Sequence, residues 1–432
     1  MREKGAGNMK VLVIGGGGRE HAIVWKLAQS RHVDKIYCSP GNAGIADLAE
    51  CIDVGTDNFD ALVDFVKYEW IDLTIVGPEE PLSRGIVDAF EKQGMRILGP
   101  SKKAAQLESS KVFAKDFMKR YGIPTGEYSV FSSYVHAENH VRMKGTPIVI
   151  KAEGLAAGKG VFIATDMDEA INALKLIMRD RIFEDAGDRV VVEECLEGEE
   201  ASFMAFCDGK TIKPMASSQD HKRVFDGDKG LNTGGMGAYS PAPVVTKELE
   251  GEIMEKVMWP TLRGLKAEGI KYKGILYAGL MIKNNVPYVL EFNCRLGDPE
   301  TQPVLSRMDT DLVDVAFAIT DEKLSEVDIQ WRPDSSVCVV IASGGYPGKY
   351  EKGKIINGLE SIRNEKDVFV FHAGTSFEND HVVTSGGRVL GVTGLGADVG
   401  TARDKVYHAI EKICFEGMHY RKDIAERALK RK

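Results

Sequence analysis

The densest chemistry in the sequence lies in Pro287-Tyr288-Val289-Leu290-Glu291-Phe292-Asn293-Cys294-Arg295. The period-two alternation of a strand puts Glu291, Asn293 and Arg295 on one face. Two hard oxygen donors beside a guanidinium suit Mg²⁺ together with an anion. A solvated edge strand is the bland alternative, and Val289, Leu290 and Phe292 argue against it. Leu296-Gly297-Asp298-Pro299-Glu300 then turns the chain with further acids.

A second constellation begins with Ile148-Val149-Ile150-Lys151, an apolar strand ending in a lysine, and continues as Ala152-Glu153-Gly154-Leu155-Ala156-Ala157-Gly158-Lys159-Gly160. It is no Walker loop, because Gly160 rather than Ser or Thr follows Lys159. The connection exceeds the ~2–5 residues of a structural hairpin. Its length and glycine content point to a flap closing over a charged ligand, with Lys151 as a fixed cation and the flap amides as donors. An ordinary surface loop is the alternative. Further on, Glu193-Glu194-Cys195-Leu196 leaves a strand and Glu199-Glu200 precedes another. Glu200 is placed to hold ribose hydroxyls and the linker backbone to read an adenine edge, unless this is a charged surface hairpin.

Gly15-Gly16-Gly17-Gly18-Arg19-Glu20-His21 follows an apolar run and opens a helical pattern. Such a turn presents backbone N–H groups at the positive end of a helix and suits a phosphate. A dinucleotide fits poorly. The G-x-G-x-x-G spacing wants glycine at position 20, where Glu20 stands, and the second strand ends in Cys38-Ser39 with no acid for a ribose hydroxyl. A plain tight turn and an anion smaller than a dinucleotide both remain, and the anion is favoured. Pro40-Gly41-Asn42-Ala43-Gly44 and Gly77-Pro78-Glu79 would line the same edge, outside the carboxyl ends of the strands.

The elements that must position these groups follow from periodicity. Strands at 10–14, 35–38, 72–76 and 96–98, with a helix after the first and another at 83–93, imply a parallel, doubly wound sheet. A helix is expected at 104–121. Strands at 148–152, 161–164 and 190–194 with a helix at 168–178 form a small unit. Strands at 201–207, 275–282 and 287–292 enclose a helix at 248–265. After Arg332-Pro333 come strands at 337–342, 368–372 and 389–393 and a helix at 399–413. The fold class is α/β and α+β multidomain. Its expected parts are an N-terminal domain at 9–105, a central domain at 106–127 with 195–332, a lid domain at 128–194 and a small mixed C-terminal domain at 333–432.

Bulk composition narrows the classes. The 432 residues suggest about three domains, and 43% hydrophobic content excludes disorder as the main state. A net charge of −8 argues against sequence-independent DNA binding. The seven cysteines form no Cys-x-x-Cys pair, which fits reduced thiols in a cytoplasmic protein. No apolar run reaches the ~18 residues of a membrane span. Residues 1–8 carry no signal-peptide core and read as a short disordered leader. The 46 glycines are an excess over the usual ~7%, and they gather at 15–18, 154–160, 227–237, 344–348 and 386–396.

In this order, the strand–lysine–glycine flap, Glu-Glu-Cys-Leu and the Glu-x-Asn-x-Arg strand resemble the ATP-grasp superfamily. Gly16-Gly17-Gly18-Arg19-Glu20-His21-Ala22, Pro40-Gly41-Asn42-Ala43-Gly44, Ser217-Ser218-Gln219-Asp220-His221-Lys222-Arg223, Asn232-Thr233-Gly234-Gly235-Met236-Gly237-Ala238-Tyr239 and Arg295-Leu296-Gly297-Asp298-Pro299-Glu300-Thr301-Gln302 are similar, more narrowly, to the phosphoribosylamine–glycine ligase (glycinamide ribonucleotide synthetase) family. The similarity runs from Met9 to the last helix. It implies ATP between the flap domain and the central domain, with Lys111 and Lys151 on its phosphates and Gly158, Lys159 and Gly160 in the lid. It implies Glu194 and Leu196 at adenine through their backbones beside Glu193, and Glu200 at the ribose. It implies Mg²⁺ or Mn²⁺ on Glu291 and Asn293. Gly17, Gly18, Arg19, Glu20, Asn42 and Gly44 would face a sugar phosphate. Asp220, Lys222 and Arg295 would be catalytic, with Gly234, Gly235, Met236 and Gly237 against the substrates. One departure stands out: many ATP-grasp proteins carry a metal carboxylate on the preceding strand, and Leu276-Tyr277-Ala278-Gly279-Leu280 has none.

The reaction so implied joins glycine to 5-phosphoribosylamine through glycyl phosphate. It yields glycinamide ribonucleotide, ADP and phosphate in de novo purine biosynthesis. Small-molecule substrates, no nucleic acid, no membrane, and a monomer with at most weak contacts to neighbouring pathway enzymes are expected. Three alternatives stay open: another ATP-grasp ligase acting on a different amine, a nicotinamide oxidoreductase using the first glycine loop, and a non-catalytic nucleotide-binding protein.

Overall fold

The computed structural model describes residues 9–155 and 160–431. The leader at 1–8 and the flap residues Gly158 and Lys159 lie outside the described residues. Among the described residues, no helix is long and apolar enough to cross a membrane.

The first strand, Met9–Gly15, lies in the middle of a five-stranded parallel sheet, flanked by Val33–Pro40 and Leu73–Val76, with Glu50–Cys51 and Ile97–Leu98 at the edges. Its alternation explains the doubly wound form. Val11 and Val13 pack with Ile23 and Leu27 of the helix Gly18–Leu27 on one face. Leu12 and Ile14 pack with Leu62, Val66 and Phe90 from the helices Phe59–Glu69 and Ile86–Lys92 on the other. A strand covered on both faces is apolar throughout. The chain leaves the first strand in one direction and later returns to its other side. The turn after Gly15 therefore opens at the switch point, where such sheets bind ligands.

Two expected helices are broken. The 83–93 segment is Glu79–Arg84 followed by Ile86–Lys92, because Gly85 takes φ +97° between them. The 104–121 segment is Gln106–Ser109 followed by Lys111–Arg120. Ser110 is extended there, and its hydroxyl accepts the Phe113 N–H at 3.0 Å as an N-cap.

The central antiparallel sheet runs Ile212–Pro214, Glu199–Cys207, Gly274–Lys283, Val286–Asn293. Its last strand carries a bulge, since Gly279 pairs with Glu291 but Leu280 with Val289. The helix expected at 248–265 spans Lys247–Ile253 and Trp259–Ala267, joined by the π-helical turn Met254–Met258. A smaller antiparallel sheet orders Tyr128–Phe131, Val190–Glu194, Ile148–Ala152 and Val161–Ala164. The helices Tyr134–Lys144 and Met167–Met178 cover it through Ala137, Val141, Ala173 and Ile177.

A further five-stranded antiparallel sheet combines two short strands from the middle of the chain, Gln219–Asp220 and Gly237–Ser240, with Ser335–Ala342, Arg388–Gly396 and Val368–His372. The helix Val399–Ile410 packs against it through Ala402, Val406 and Ala409. That helix stops short of the expected residue 413.

Candidate active site

The edges of these sheets enclose one cleft of about 390 Å³. At one end stands a row of lysines. Lys151 closes the strand Ile148–Ala152 and donates to Glu193 Oε2 at 3.0 Å and to the Leu290 carbonyl at 3.1 Å. That carbonyl belongs to the bulged residue of the last central strand, so the bulge joins two sheets at one cation. Lys115 pairs with the same Glu193 oxygen at 2.9 Å and donates to Thr125 Oγ1 at 2.7 Å. Lys111, one helical turn earlier, donates to the Gly154 carbonyl at 2.8 Å.

Burial alone would protonate Glu193, but Lys151 and Lys115 outweigh it and keep its carboxyl low. Burial depresses Lys111 and pulls Lys115 down to about 8 against the pull of Glu193. Among these four groups, three lysines face one carboxylate, and the surplus positive charge suits a polyphosphate. Glu193 Oε1 is buried without a hydrogen-bond partner.

At the opposite end, Arg295 is held by acids on two sides. Its Nε donates to Glu79 Oε2 at 3.2 Å, and its Nη2 pairs with Glu108 Oε1 at 2.9 Å and donates to Asn293 Oδ1 at 3.1 Å. Burial pushes the Glu108 carboxyl up to about 7 in spite of Arg295. Burial pushes Glu79 the same way, yet Arg295 and Arg19 hold it at about 2. Across the cleft, Lys222 pairs with Asp220 at 2.8 Å and Glu200 at 3.7 Å. Burial disfavours the Lys222 ammonium, and Asp220 more than compensates, so it stays charged. Glu300 accepts from Tyr277 OH at 2.5 Å and Ser202 Oγ at 3.0 Å. Burial raises the carboxyls of both Glu200 and Glu300.

Arg388 braces this wall. It pairs with Asp298 Oδ2 at 2.8 Å and donates to the Gly234 and Asp298 carbonyls at 2.7 Å each. The strap it fixes needs glycine, for Gly235 has φ +114° and an added Cβ would stand 2.3 Å from Pro299 Cδ.

The structure brings together in this cleft Lys111, Lys151, Gly160, Glu193, Glu194, Leu196, Glu200, Asp220, Lys222, Gly234, Glu291, Asn293, Arg295 and Arg19. Other expected residues are not among those lining the cleft. Glu20 accepts the Gly17 N–H and the Arg19 Nε–H, both at 2.6 Å, and so holds the first turn. Asn42 donates to the carbonyls of Gly16 at 2.9 Å and His372 at 2.8 Å, while its oxygen accepts the Gly44 N–H. An added Cβ on Gly18 would meet Gln302 Nε2 at 2.7 Å. Met236 is buried with Val224 and Ala342, and Gly237 pairs with Val339 in the C-terminal sheet.

Sequence reasoning missed Glu108, Lys115, Ser202, Tyr277 and Arg388. Only Lys115 carried a local signal, four residues after Lys111 on one helix face. The others are selected by contacts between distant segments.

Comparison with known proteins matches three family models in chain order. They are the phosphoribosylglycinamide synthetase N domain over residues 9–108, its ATP-grasp (A) domain over 109–301 and its C domain over 336–427. A phosphoribosylamine–glycine ligase of Vibrio parahaemolyticus is 52% identical over 426 residues, covering 98% of this chain and 99% of that one. One from Neisseria meningitidis is 53% identical over 425 residues, covering 98% and 100%. Among solved structures, a phosphoribosylamine–glycine ligase from Thermotoga maritima superposes with TM-score 0.83 at 34% identity, over 96% of this chain and 100% of that chain. The biotin carboxylase domain of a Hydrogenobacter thermophilus 2-oxoglutarate carboxylase, solved with MgADP, ADP and bicarbonate, gives TM-score 0.71 at 17% identity over 95% and 91%, a likeness of fold alone.

Proposed function

The chain belongs to the phosphoribosylglycinamide synthetase family, and from that premise we propose how its cleft carries out the ligation. The enzyme is an ADP-forming ligase that joins glycine to 5-phosphoribosylamine with ATP, a step of purine biosynthesis. What supports the assignment of roles is one arrangement. A lysine row and an arginine clamped between carboxylates face each other along a single cleft.

ATP lies along Lys111, Lys115 and Lys151, with the 154–160 segment as lid and residues 128–194 as the lid domain. Its adenine meets the backbone at Glu194 and Leu196, and its ribose meets Glu200. Glu291 and Asn293 offer one carboxylate and one amide oxygen at the cleft. That donor set fits a hard divalent ion shared with substrate phosphates. When bound there, Mg²⁺ or Mn²⁺ neutralises phosphate charge.

The glycine carboxylate attacks the γ-phosphorus, ADP leaves, and glycyl phosphate forms. The amine of 5-phosphoribosylamine then attacks the acyl carbon and phosphate departs. Both steps need charge stabilisation more than a strong base, and Arg295, Lys222 and the lysine row supply it. The acyl phosphate would hydrolyse in open water, so the lid has to exclude solvent. The sugar phosphate takes the first glycine turn, with Arg19 at its cleft side. A cytoplasmic location is supported by the free thiols of all seven cysteines.

The test is an ADP-release assay with glycine and freshly prepared 5-phosphoribosylamine. Steady-state ADP release should require both, because without the amine glycyl phosphate is not consumed. ADP release that ignores the omission of glycine would overturn the assignment.

A further inference from the structure

Glu108 lies outside every motif that carries the reading above, yet it grips the reacting wall at two points. Its Oε2 accepts the Cys294 backbone N–H at 2.7 Å, and its Oε1 meets Arg295 Nη2 at 2.9 Å. Cys294 and Arg295 directly follow the strand Val286–Asn293, so one carboxylate fixes the backbone of the first residue leaving that strand and the side chain of the second. Only 7% of the Glu108 side chain is exposed. Its short helix, Gln106–Ser109, leads through Ser110 into the helix that carries Lys111 and Lys115. The same few residues thus connect the lysine row with the Arg295 wall.

We propose that Glu108 is a positioning residue for the ligation, aiming the Arg295 guanidinium into the cleft while Glu79 holds its Nε. This rests on the role of Arg295 given above. The chemistry is specific to a carboxylate. A glutamine at 108 has the same shape and can still accept the Cys294 N–H, but its amide N–H₂ would face the Arg295 donors. Donor against donor leaves the guanidinium unheld and free to swing.

Glu108→Gln separates this role from a merely structural one. At pH 8, above the about 7 to which burial raises the Glu108 carboxyl, we expect kcat for ADP release to fall at least ~10-fold, with KM for ATP within ~2-fold in a variant that still unfolds cooperatively above the assay temperature. In an Arg295→Lys background, which has no fork to aim, Glu108→Gln should cost almost nothing further. Wild-type kcat in Glu108→Gln, or losses that multiply in the double variant, would overturn the proposal. Should Glu108→Gln not fold, Glu108→Asp carries the same cycle, and its loss must likewise vanish beside Arg295→Lys. An unaltered chain without glycine-dependent ADP release would defeat the ligase reading instead, so the two failures are distinguishable.

Discussion

Arg295 donates to Glu79 and Asn293, pairs with Glu108, and reaches the Leu296 carbonyl at 3.3 Å. A planar fork can meet these partners at once, whereas an ammonium is a point charge that can turn toward only some of them. Arg295→Lys keeps the charge and loses the geometry, so we predict a fall in kcat on the order of 10²-fold. Steady-state ADP release with glycine and 5-phosphoribosylamine measures it, and near-normal turnover would remove Arg295 from the reaction. The strand ahead of this residue was legible because alternation placed Glu291 and Asn293 together before any fold was known. Its clamp was not. Cys294 and Glu108 stand 186 positions apart and Arg388 and Asp298 90 apart. No local periodicity encodes a partner at that range.

Long strands with apolar alternation emerged at their expected places because period two survives whatever the strand packs against. The edge strands Glu50–Cys51 and Gln219–Asp220 have two residues each, too few to show any period. The helix breaks at Gly85 and Ser110 were hidden for a different reason: the apolar pattern continues across them. The glycine turns were read as close approaches to ligands, and the structure adds a second cause, the approach of one turn to another. A Cβ on Gly16 would lie 2.4 Å from the Gly41 carbonyl oxygen, which is backbone and cannot swing aside. Gly16→Ala must therefore push the two turns apart. We predict a loss of about 1–3 kcal/mol in denaturant unfolding and a raised KM for 5-phosphoribosylamine, with KM for ATP unchanged. Equal KM values for the sugar phosphate in the two proteins would refute a role for this turn in binding it.

The first and last parts of the chain meet in a buried contact around His372. The helix Gly18–Leu27 presents His21, whose Nδ1 accepts the His372 backbone N–H at 2.8 Å. Asn42 reaches the His372 carbonyl from the neighbouring turn. An Nδ1 that accepts cannot also carry a proton, and burial is the larger obstacle; it holds His21 at about 3, with His372 adding to the effect. The unfolded chain takes up that proton below the ordinary value of about 6.5. His21 therefore contributes its full stability above that pH and loses it as the pH falls toward 3. His221 and His372, both held at about 4 mainly by burial, act with the same sign. Glu108, raised to about 7, and Glu300, also raised, act with the opposite sign, because the folded chain protonates them first. The pH dependence of total stability mixes these terms, but a difference isolates the His21 contact. Asn at position 21 can accept the same N–H and does not titrate. The stability advantage of the unaltered chain over His21→Asn should shrink by about 2 kcal/mol between pH 6.5 and 5, read by urea unfolding at each pH. The protection of the His372 amide against exchange, taken relative to its intrinsic rate at each pH, should fall over the same interval in the unaltered chain only. An advantage that stays constant from pH 7 to 5 would mean that His21 keeps an ordinary affinity for protons, and that the junction between the first helix and the C-terminal sheet is held by packing alone.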